Sequence, residues 1–428
     1  MTEIQGVNSS VSPLPELLAP AGSFEKLVTA VHYGADAVYL SGKRFGLRAR
    51  AVNFDDGQIS QAVAFAHAHD VKVYVTVNIF AHNADFSGLD RYLKTLAETG
   101  VDAIIVADPG ILQYARERVP ELPIHLSTQA NVTNLHAAEF WIRQGALRLN
   151  LARELSFNEI RTVRRQVAAE LEVFVHGALC ISYSGRCMLS TYMTGRDANR
   201  GNCAHPCRYR YALVEEKRPG EYFPVSEDDY GTYIFNAKDL CLLQKLPELV
   251  SIGVDSLKIE GRMKSIFYVG GVVRVYRAAL DYLRGLPPEA WLEPEQIKIP
   301  EHMLTEIEKT GTRGISLNFS AHAPSAEDML YETSRVDQEY EPVGVVRGID
   351  VDGKSLKVEL RTVCRVGDPV EYMDTALQDR VHVVETMIST DGVAIERGNP
   401  GDRVSWILDQ PNESFAVNAM FRRKKRSA

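Results

Sequence analysis

Residues 171–190 of the chain read LEVFVHGALCISYSGRCMLS. The segment opens with an apolar run, Leu171 to Val175, that has the length of a buried strand and is too short for an amphipathic helix. His176 and Cys180 follow it directly, where the composition turns to glycine, serine and cysteine. We therefore interpret this run as a core strand that presents polar side chains at its carboxyl end.

Seven more runs of this kind alternate with amphipathic stretches such as Ile59 to Ala68 and Phe157 to Ala168. This alternation is typical of βαβ units around a parallel sheet. Eight strands within about 270 residues favour an α/β fold of the TIM-type (β/α)8 barrel class. The other seven runs are Glu16 to Ala19, Ala37 to Leu40, Val73 to Asn78, Ala103 to Val106, Ile124 to Ser127, Leu147 to Leu151 and Ser256 to Glu260.

An open, doubly wound sheet is the alternative to the barrel. A dinucleotide-binding fold of that class needs a GxGxxG turn after its first strand. The corresponding segment here reads Ala-Pro-Ala-Gly-Ser, residues 19–23. The doubly wound sheet stays open as an alternative, although the chain lacks the GxGxxG turn at this position.

The last third of the chain changes to short β-like runs separated by turns such as Asp352-Gly353 and Asp391-Gly392, which predicts a small all-β barrel domain. The runs are Val343 to Val346, Leu356 to Leu360, Val381 to Val384, Gly392 to Ile395 and Arg403 to Ile407. We expect a flexible N-terminus at 1–12, the barrel at 13–285 with a cysteine-rich insertion at 176–245 between strands seven and eight, a linker with a helical segment at 286–339, and the β domain with its basic tail at 340–428.

Composition limits the environment of the protein. The net charge of −8 argues against indiscriminate nucleic-acid binding but leaves local basic clusters open. The N-terminus has neither a basic start nor an apolar segment of the signal-peptide kind, and no run reaches the roughly 18 apolar residues of a membrane span. We expect a cytoplasmic protein with no membrane partner.

Five of the six cysteines fall in one stretch, Cys180, Cys187, Cys203, Cys207 and Cys241. In a chain without an export signal, such clustering indicates a metal site and not disulfides. The spacings C-x6-C and C-x3-C differ from the C-x2-C pairs of most structural zinc sites, so zinc and an iron-sulfur cluster both stay open. Ordinary buried cysteines are the third interpretation, and we assign Cys364 to the core.

Polar residues follow several predicted strands at the end where barrel enzymes build their sites. Cations placed there suit a phosphate or a carboxylate, although such residues can also simply pair with one another inside the barrel. We interpret His176 and Glu260 as catalytic candidates. The substrate-binding candidates are Arg48, Asn53, Asn78, Gln129, Asn131, Lys258 and Arg262.

The cysteine-rich insertion is also rich in arginine and tyrosine. Between Cys180 and Tyr211, five arginines and four tyrosines accompany a single acidic residue, Asp197. Arginine for phosphates and tyrosine for stacking form the mixture that single-stranded RNA requires, whereas an ordinary solvated face mixes its charges more evenly. The predicted RNA contacts are Arg186, Arg200, Arg208 and Arg210.

These residues carry a resemblance to a known family. Residues 172–190 are similar to the signature E-x-F-x-x-G-[SA]-x-C-x6-C-x-x-S of the U32 peptidase family. The segments ELLAPAGS, RFGLRARAVNF, LSTQANVTN, RGNCAHPCR and SLKIEGRMKS also resemble recurring blocks of that family. Together they cover the predicted barrel nearly from end to end.

The resemblance implies a [4Fe-4S] cluster held by Cys180, Cys187, Cys203 and Cys241, with Cys207 as the alternative fourth ligand. Chain length and the β domain resemble the branch that hydroxylates the wobble uridine of tRNA, U34, to 5-hydroxyuridine and depends on prephenate. The implied partners are the anticodon loop of tRNA and a related U32 subunit.

A collagenase-like peptidase is the competing function, because the family is named for it. The chain contains no HExxH, GxSxG or serine-lysine signature. His176 with Cys180 is the local pair that resembles a thiol protease, and cluster binding by Cys180 would exclude that role. A noncatalytic RNA-binding iron-sulfur protein is the third hypothesis.

Overall fold

The computed structural model describes residues 14–47, 53–178, 189–196, 202–206, 213–214, 222–223, 226–228, 231–233, 238–311, 314–317, 338–350, 355–409 and 415–425. Several predicted site residues lie outside these ranges, namely Arg48, Cys180, Arg186, Cys187, Arg200, Cys207, Arg208 and Arg210.

Strand and helix alternate through the first part of the chain. The elements are β1 (Glu16–Pro20), α1 (Phe24–His32), β2 (Ala37–Ser41), α2 (Asp56–His67), β3 (Lys72–Val77), α3 (Leu89–Thr99), β4 (Ala103–Val106), α4 (Pro109–Arg118), β5 (Ile124–Leu126), α5 (Leu135–Arg143), β6 (Arg148–Asn150), α6 (Phe157–Arg164) and β7 (Glu170–Gly177). The next elements are α7 (Leu189–Thr194), β8 (Leu213–Val214), β9 (Tyr222–Phe223), β10 (Ser226–Asp228), β11 (Gly231–Tyr233), β12 (Asp239–Cys241), α8 (Leu246–Ile252), β13 (Ser256–Ile259), α9 (Ile266–Arg284), α10 (Glu301–Lys309) and β14 (Ile315–Ser316).

Eight parallel strands, β1 to β7 and β13, close into a barrel. The closing strand β13 pairs in parallel with β1, where Ser256 is opposite Glu16, and with β7, where Ser256 is opposite Glu172. Every strand predicted for this barrel is present, so the TIM-type barrel is confirmed and the open doubly wound sheet is wrong.

The insertion between strands seven and eight of the barrel contains α7 and β8 to β12, which confirms its predicted place. Its last strand, β12, pairs antiparallel with the end of β7, so that Cys241 is opposite His176. β14 then pairs in parallel with β12 and extends the sheet by one strand. The insertion is thereby fixed to the carboxyl end of β7.

Capping residues fix where the barrel helices begin. The side chains of Ser23, Asp55, Asn134, Ser156 and Ser265 each accept a hydrogen bond from a backbone N–H in the first turn of α1, α2, α5, α6 and α9. Such caps satisfy backbone donors that the helix itself leaves unpaired. These caps lie at the carboxyl ends of the barrel strands. The sequence therefore fixes the turns between strand and helix at the end of the barrel where the polar residues lie.

The second barrel is closed and antiparallel, with strand order β15-β16-β21-β19-β18-β22. Its strands are β15 (Tyr340–Ile349), β16 (Ser355–Leu360), β17 (Cys364–Arg365), β18 (Pro369–Tyr372), β19 (Arg380–Ser389), β20 (Arg397–Gly398), β21 (Arg403–Leu408) and β22 (Met420–Lys424). This architecture confirms the predicted all-β barrel. The predicted strand Gly392 to Ile395 is wrong, because an isolated bridge between Ile388 and Ala394 stands in its place.

The two barrels share part of their core. Val345, Met373 and Met420 of the small barrel belong to the same buried cluster as the helices and strands of the large one. Tyr33 of α1 accepts a hydrogen bond from the Met420 backbone N–H at 3.0 Å and lies 3.2 Å from the Met373 carbonyl. The small barrel is therefore packed on the outside of α1 and α9.

Candidate functional site at the carboxyl end of the large barrel

Polar side chains that follow three strands meet where the parallel strands end. Glu260 and Arg262 follow β13, Asn78 follows β3, and Gln129 follows β5. All eight barrel strands run in the same direction, so these positions lie at one end, the end where TIM barrels carry their active sites. We call this end the mouth.

Two of the predicted amides bind each other. The Asn78 side-chain amide donates to Gln129 Oε1 at 2.6 Å, and Asn78 Oδ1 accepts from the Leu47 backbone N–H at 3.2 Å. Arg262 donates to the Leu47 carbonyl at 2.8 Å and to Thr76 Oγ1 at 3.3 Å. Arg262 and Asn78 thus hold Leu47, the residue that precedes Arg48, at the mouth.

Glu260 is the carboxylate of the mouth. The Tyr39 hydroxyl, which is nearly buried, lies 3.2 Å from Glu260 Oε2 and 3.0 Å from the Ile259 carbonyl. Glu260 itself is half-buried. Sequence analysis missed Tyr39, which the strand pattern could have placed as an inward residue of β2.

Lys258 lies one layer deeper than the mouth. Its Nζ is 2.7 Å from Glu172 Oε1 and 4.5 Å from the centre of the Tyr39 ring. The residue is 3% exposed, so an anion at the mouth would have to compete with Glu172 for it. The structure places Lys258 as the internal partner of Glu172, which differs from the substrate-binding role predicted for it.

His176 faces the outer helix α9. Its Nδ1 lies 3.3 Å from the Tyr276 hydroxyl, and its ring also contacts Tyr268. The residue is 1% exposed, and Nε2 has no hydrogen-bond partner among the described residues. Burial lowers the pKa of His176 to about 4, with Asp239 opposing the shift. A catalytic residue must contact the substrate, whereas His176 is buried against α9 in this arrangement.

Asn53 and Asn131 both adopt left-handed backbone conformations, with φ of 38° and 58°. Asparagine tolerates this conformation better than most residues. Asn131 Oδ1 is buried and has no hydrogen-bond partner within the described part of the chain. Asn131 follows Gln129 by two residues, so it extends the polar lining after β5.

Two of the four predicted cluster ligands, Cys203 and Cys241, lie in the described part of the chain, and neither forms a disulfide there. Cys203 Sγ accepts a hydrogen bond from the His205 backbone N–H at 3.3 Å. Cys241 is 5% exposed and its Sγ lies 3.8 Å from the Tyr276 oxygen. Burial raises the pKa of the Cys241 thiol, so it would ionise only beside a cation such as a bound metal.

Ser190 joins two cysteine-bearing segments. Its hydroxyl accepts from the Ala204 backbone N–H at 2.9 Å and donates to the Arg196 carbonyl at 2.6 Å. Arg196 in turn donates to the Cys203 carbonyl at 3.1 Å. Ser190 is three residues from Cys187 in sequence, so these bonds hold the Cys203 loop against the helix that follows Cys187. The N–H···S bond and the tethered loop both suit a thiolate-bound cluster.

Asp239 is the second residue that sequence analysis did not assign to the site. It is fully buried at the start of β12, its carboxylate oxygens have no hydrogen-bond partner among the described residues, and Lys264 Nζ lies 3.6 Å away. The sequence signal that could have assigned Asp239 to the site is its position two residues before Cys241.

A parallel (β/α)8 barrel with polar side chains at the strand ends and cysteines in an adjoining insertion defines a TIM-barrel protein built like an enzyme. The chain belongs to peptidase family U32, whose sequence model matches residues 22–330. In the described part of the chain, no helix has the length and apolar character needed to cross a membrane.

Three relatives illustrate the similarity. The chain is 40% identical over 401 residues to "tRNA hydroxylation protein P1" of Bacillus subtilis strain 168, covering 94% of this chain and 93% of the relative. It is 36% identical over 440 residues to "tRNA hydroxylation protein P" of Escherichia coli strain K12, covering 93% and 94%. It is 38% identical over 266 residues to the "23S rRNA 5-hydroxycytidine C2501 synthase" of the same organism, covering 62% of this chain and 39% of that one.

Proposed function

We propose that this protein is an RNA hydroxylase that acts on tRNA and converts the wobble uridine, U34, to 5-hydroxyuridine. The observation that carries the proposal is the mouth, where Glu260, Tyr39 and Arg262 surround the carboxyl end of the barrel beside the insertion that bears Cys203 and Cys241. Two relatives that match nearly the whole chain are named for tRNA hydroxylation, which supports this substrate.

The mouth offers the groups that would read a base turned out of an RNA loop. RNA bases in loops are recognised by hydrogen bonds to their edges. A uracil edge has one donor, N3–H, between two carbonyl acceptors. Glu260 would accept a hydrogen bond from uracil N3–H, and the Gln129 amide and Arg262 would donate to the two uracil carbonyls. A cytosine edge lacks the N3–H group, so this arrangement favours uridine.

Hydroxylation replaces the C5–H bond by C5–OH and releases the C5 proton, so it requires a co-substrate that donates the oxygen atom and takes up the two electrons. Glu260 is the described carboxylate placed to take that proton. A [4Fe-4S] cluster on Cys180, Cys187, Cys203 and Cys241 would supply electron transfer at the mouth.

The peptidase alternative requires an accessible base beside a nucleophile. His176, the base of the pair that resembles a thiol protease, is 1% exposed and packed against two tyrosines of α9. This burial favours the hydroxylase.

The test is the nucleoside content of tRNA from a bacterial host that lacks its own wobble-uridine hydroxylation. Expression of the wild-type chain should restore 5-hydroxyuridine, measured by mass spectrometry of digested tRNA. Loss of the general base typically costs about 100-fold or more in rate, so Glu260→Gln should restore almost none. Glu301→Gln, an exposed change on α10, is the matched control and should behave as wild type.

Two results would refute the proposal. Wild-type protein that binds tRNA but leaves every nucleoside unchanged would be a noncatalytic RNA-binding protein. Wild-type protein that leaves tRNA unchanged and cleaves a collagen-like peptide would be the family's peptidase.

A further inference from the structure

Two exposed arginines face each other on the small barrel. Arg365 of β17 and Arg397 of β20 are direct register partners in an antiparallel pair. Both are exposed, and both side chains point to the same face of this two-stranded ribbon because partners across a ladder share a face. Like charges directly opposite each other destabilise a strand pair.

This pair lacks the compensation that other arginines of the small barrel have. Arg347 and Arg361 bind Glu359, and Arg422 and Arg423 bind buried or half-buried carboxylates. No described carboxylate lies within ion-pair distance of the Arg365 or Arg397 side chain. Arg403, a third exposed arginine, starts β21 directly after the turn that follows β20.

A short stretch of chain joins Arg365 to an arginine that contacts the large barrel. Arg361 binds Glu25, in the first turn of α1, and α1 begins where β1 ends at the mouth. The next residue, Lys26, donates to the Arg262 carbonyl at 2.9 Å. Arg365 is four residues beyond Arg361, which limits their Cα separation to about 14 Å.

We propose that Arg365 and Arg397 form a phosphate clamp that grips the backbone of the RNA whose base enters the mouth. The inference rests on the proposed function and adds a second contact outside the base-binding site. A phosphate oxygen pair matches the guanidinium fork, and an anion between the two arginines converts their repulsion into attraction. RNA is the favoured anion because it is the polyanion that the proposed function gives this protein as its substrate.

The test compares the full-length wild-type chain with Arg365→Ala/Arg397→Ala. Binding is measured to a full-length tRNA transcript and to a seven-nucleotide single-stranded RNA of the anticodon-loop sequence, at three salt concentrations. The matched control is Arg143→Ala/Arg284→Ala, which removes two exposed arginines from the far ends of α5 and α9, at the opposite end of the barrel. Arg365→Gln/Arg397→Gln repeats the test with less change in side-chain volume.

The clamp predicts a tRNA affinity about tenfold or more lower for the alanine pair, and a log–log salt slope less negative by about two, since each phosphate contact contributes about 0.9. Affinity for the seven-nucleotide RNA and for tRNA in the control should be unchanged. The melting temperature of the alanine and glutamine variants should equal or exceed that of wild type, because a repulsion is removed.

Unchanged tRNA affinity and salt slope would overturn the clamp, as would an equal loss in the control or an equal loss for the short RNA. Wild-type protein that binds no tRNA would refute the proposed function together with the clamp. Wild-type binding with an unaffected double variant would refute the clamp alone.

Discussion

Lys258 Nζ lies 2.7 Å from Glu172 Oε1 inside the large barrel, and the two side chains are 4% and 1% exposed. Lys258 is on β13 and Glu172 on β7, the two strands whose pairing closes the barrel. Arg148 NH1 approaches the other Glu172 oxygen at 3.5 Å. The two strands that close the barrel, β7 and β13, are therefore held together by a buried ion pair as well as by backbone hydrogen bonds. We call this strand pair the seam.

Replacing one partner of this pair should destabilise the fold. Lys258→Met leaves a buried carboxylate with a distant partner, and breaking a buried pair in this way costs about 3 kcal/mol or more. Glu172→Gln/Lys258→Met should cost less than the sum of the two single changes. Urea unfolding of the four proteins measures the coupling, and additive effects would show that the pair does not stabilise the seam.

A second buried network joins the two barrels. Arg274 of α9 is fully buried and binds Glu306 of α10 and Asp379 of the small barrel, while Arg422 of β22 binds Glu306, Asp379 and Glu371. Among the described residues, these three carboxylates form the one cluster with metal-binding spacing, and the arginines occupy it. Charge pairing therefore accounts for the cluster without a metal.

Arg274→Met should destabilise the full chain by about 3 kcal/mol, because it leaves buried carboxylates short of a partner. Arg284→Met on the same helix is the control. Arg284 is 63% exposed and pairs only with Asp281 among the described residues, so its loss should cost under about 0.5 kcal/mol. Equal effects in chemical denaturation would contradict a structural role for the network.

Sequence patterns predicted the fold well because its signals are local. Strand length, amphipathic helices and turn glycines are each set by a few neighbouring residues, and they gave both barrels. The segment at 286–339 was predicted to be a linker with a helical segment, but the prediction did not include the contact by which Glu306 of its helix α10 joins the two barrels. That contact depends on Arg274 and Arg422, which are far away in sequence, and no local pattern reports it.

The candidate site could be predicted from the residues that follow the barrel strands. The direction in which each side chain points could not be predicted. Asn78, Gln129, Glu260 and Arg262 meet at the mouth because each follows a parallel strand. His176 also ends a strand, but the pairing of β7 with β13 shifts register between Lys258 and Ile259, where His176 is opposite the outward-packed Ile259. A one-residue shift of this kind reverses the face of a strand residue and leaves no mark in the sequence.

Gly270 of α9 permits the close approach of the small barrel. A Cβ there would lie 2.8 Å from the Tyr33 ring and would overlap Met420. Alanine gains up to about 1 kcal/mol in helix propensity, but overlap in a packed core costs about 1–3 kcal/mol. We therefore expect Gly270→Ala to destabilise the protein. Gly57→Ala in α2 meets only ordinary contacts and should be neutral or stabilising by thermal unfolding, and the reverse order would contradict the packing argument.

His32 predicts a pH dependence for the junction. Burial lowers the pKa of His32 to about 4, against the attraction of Asp374 of the small barrel. The folded pKa lies below the unfolded value of about 6.5, so the contribution is complete above pH 6.5 and is lost as the pH falls towards 4. His32→Gln should flatten the loss of stability across this window by about 3 kcal/mol.

His136→Gln is the control for that measurement, since its side chain is 90% exposed. Calorimetry between pH 7 and pH 4 gives the slopes. A slope in His32→Gln as steep as in wild type would show that His32 is accessible to protons in the folded state.

Iron retention should separate the cysteines of the insertion from Cys364. Cys364 is fully buried in the apolar core of the small barrel, outside the cysteine-rich insertion, and burial raises the pKa of its thiol to about 12. Cys203 has a backbone N–H bond to its sulfur, and Cys241 lies in β12 beside the mouth. A cluster held by four thiolates loses its closed coordination when one is removed.

We expect anaerobically purified wild-type protein and Cys364→Ala to contain about four iron and four sulfide, with Cys203→Ala and Cys241→Ala each retaining less than half of that. Colorimetric iron and sulfide assays, with electron paramagnetic resonance of the reduced protein, give the counts. The two cysteines test different parts of the assignment. Full iron in Cys241→Ala, with loss in Cys203→Ala, would move the fourth ligand to Cys207. Full iron in both variants, or a colourless wild-type protein with one zinc, would contradict the iron-sulfur cluster itself.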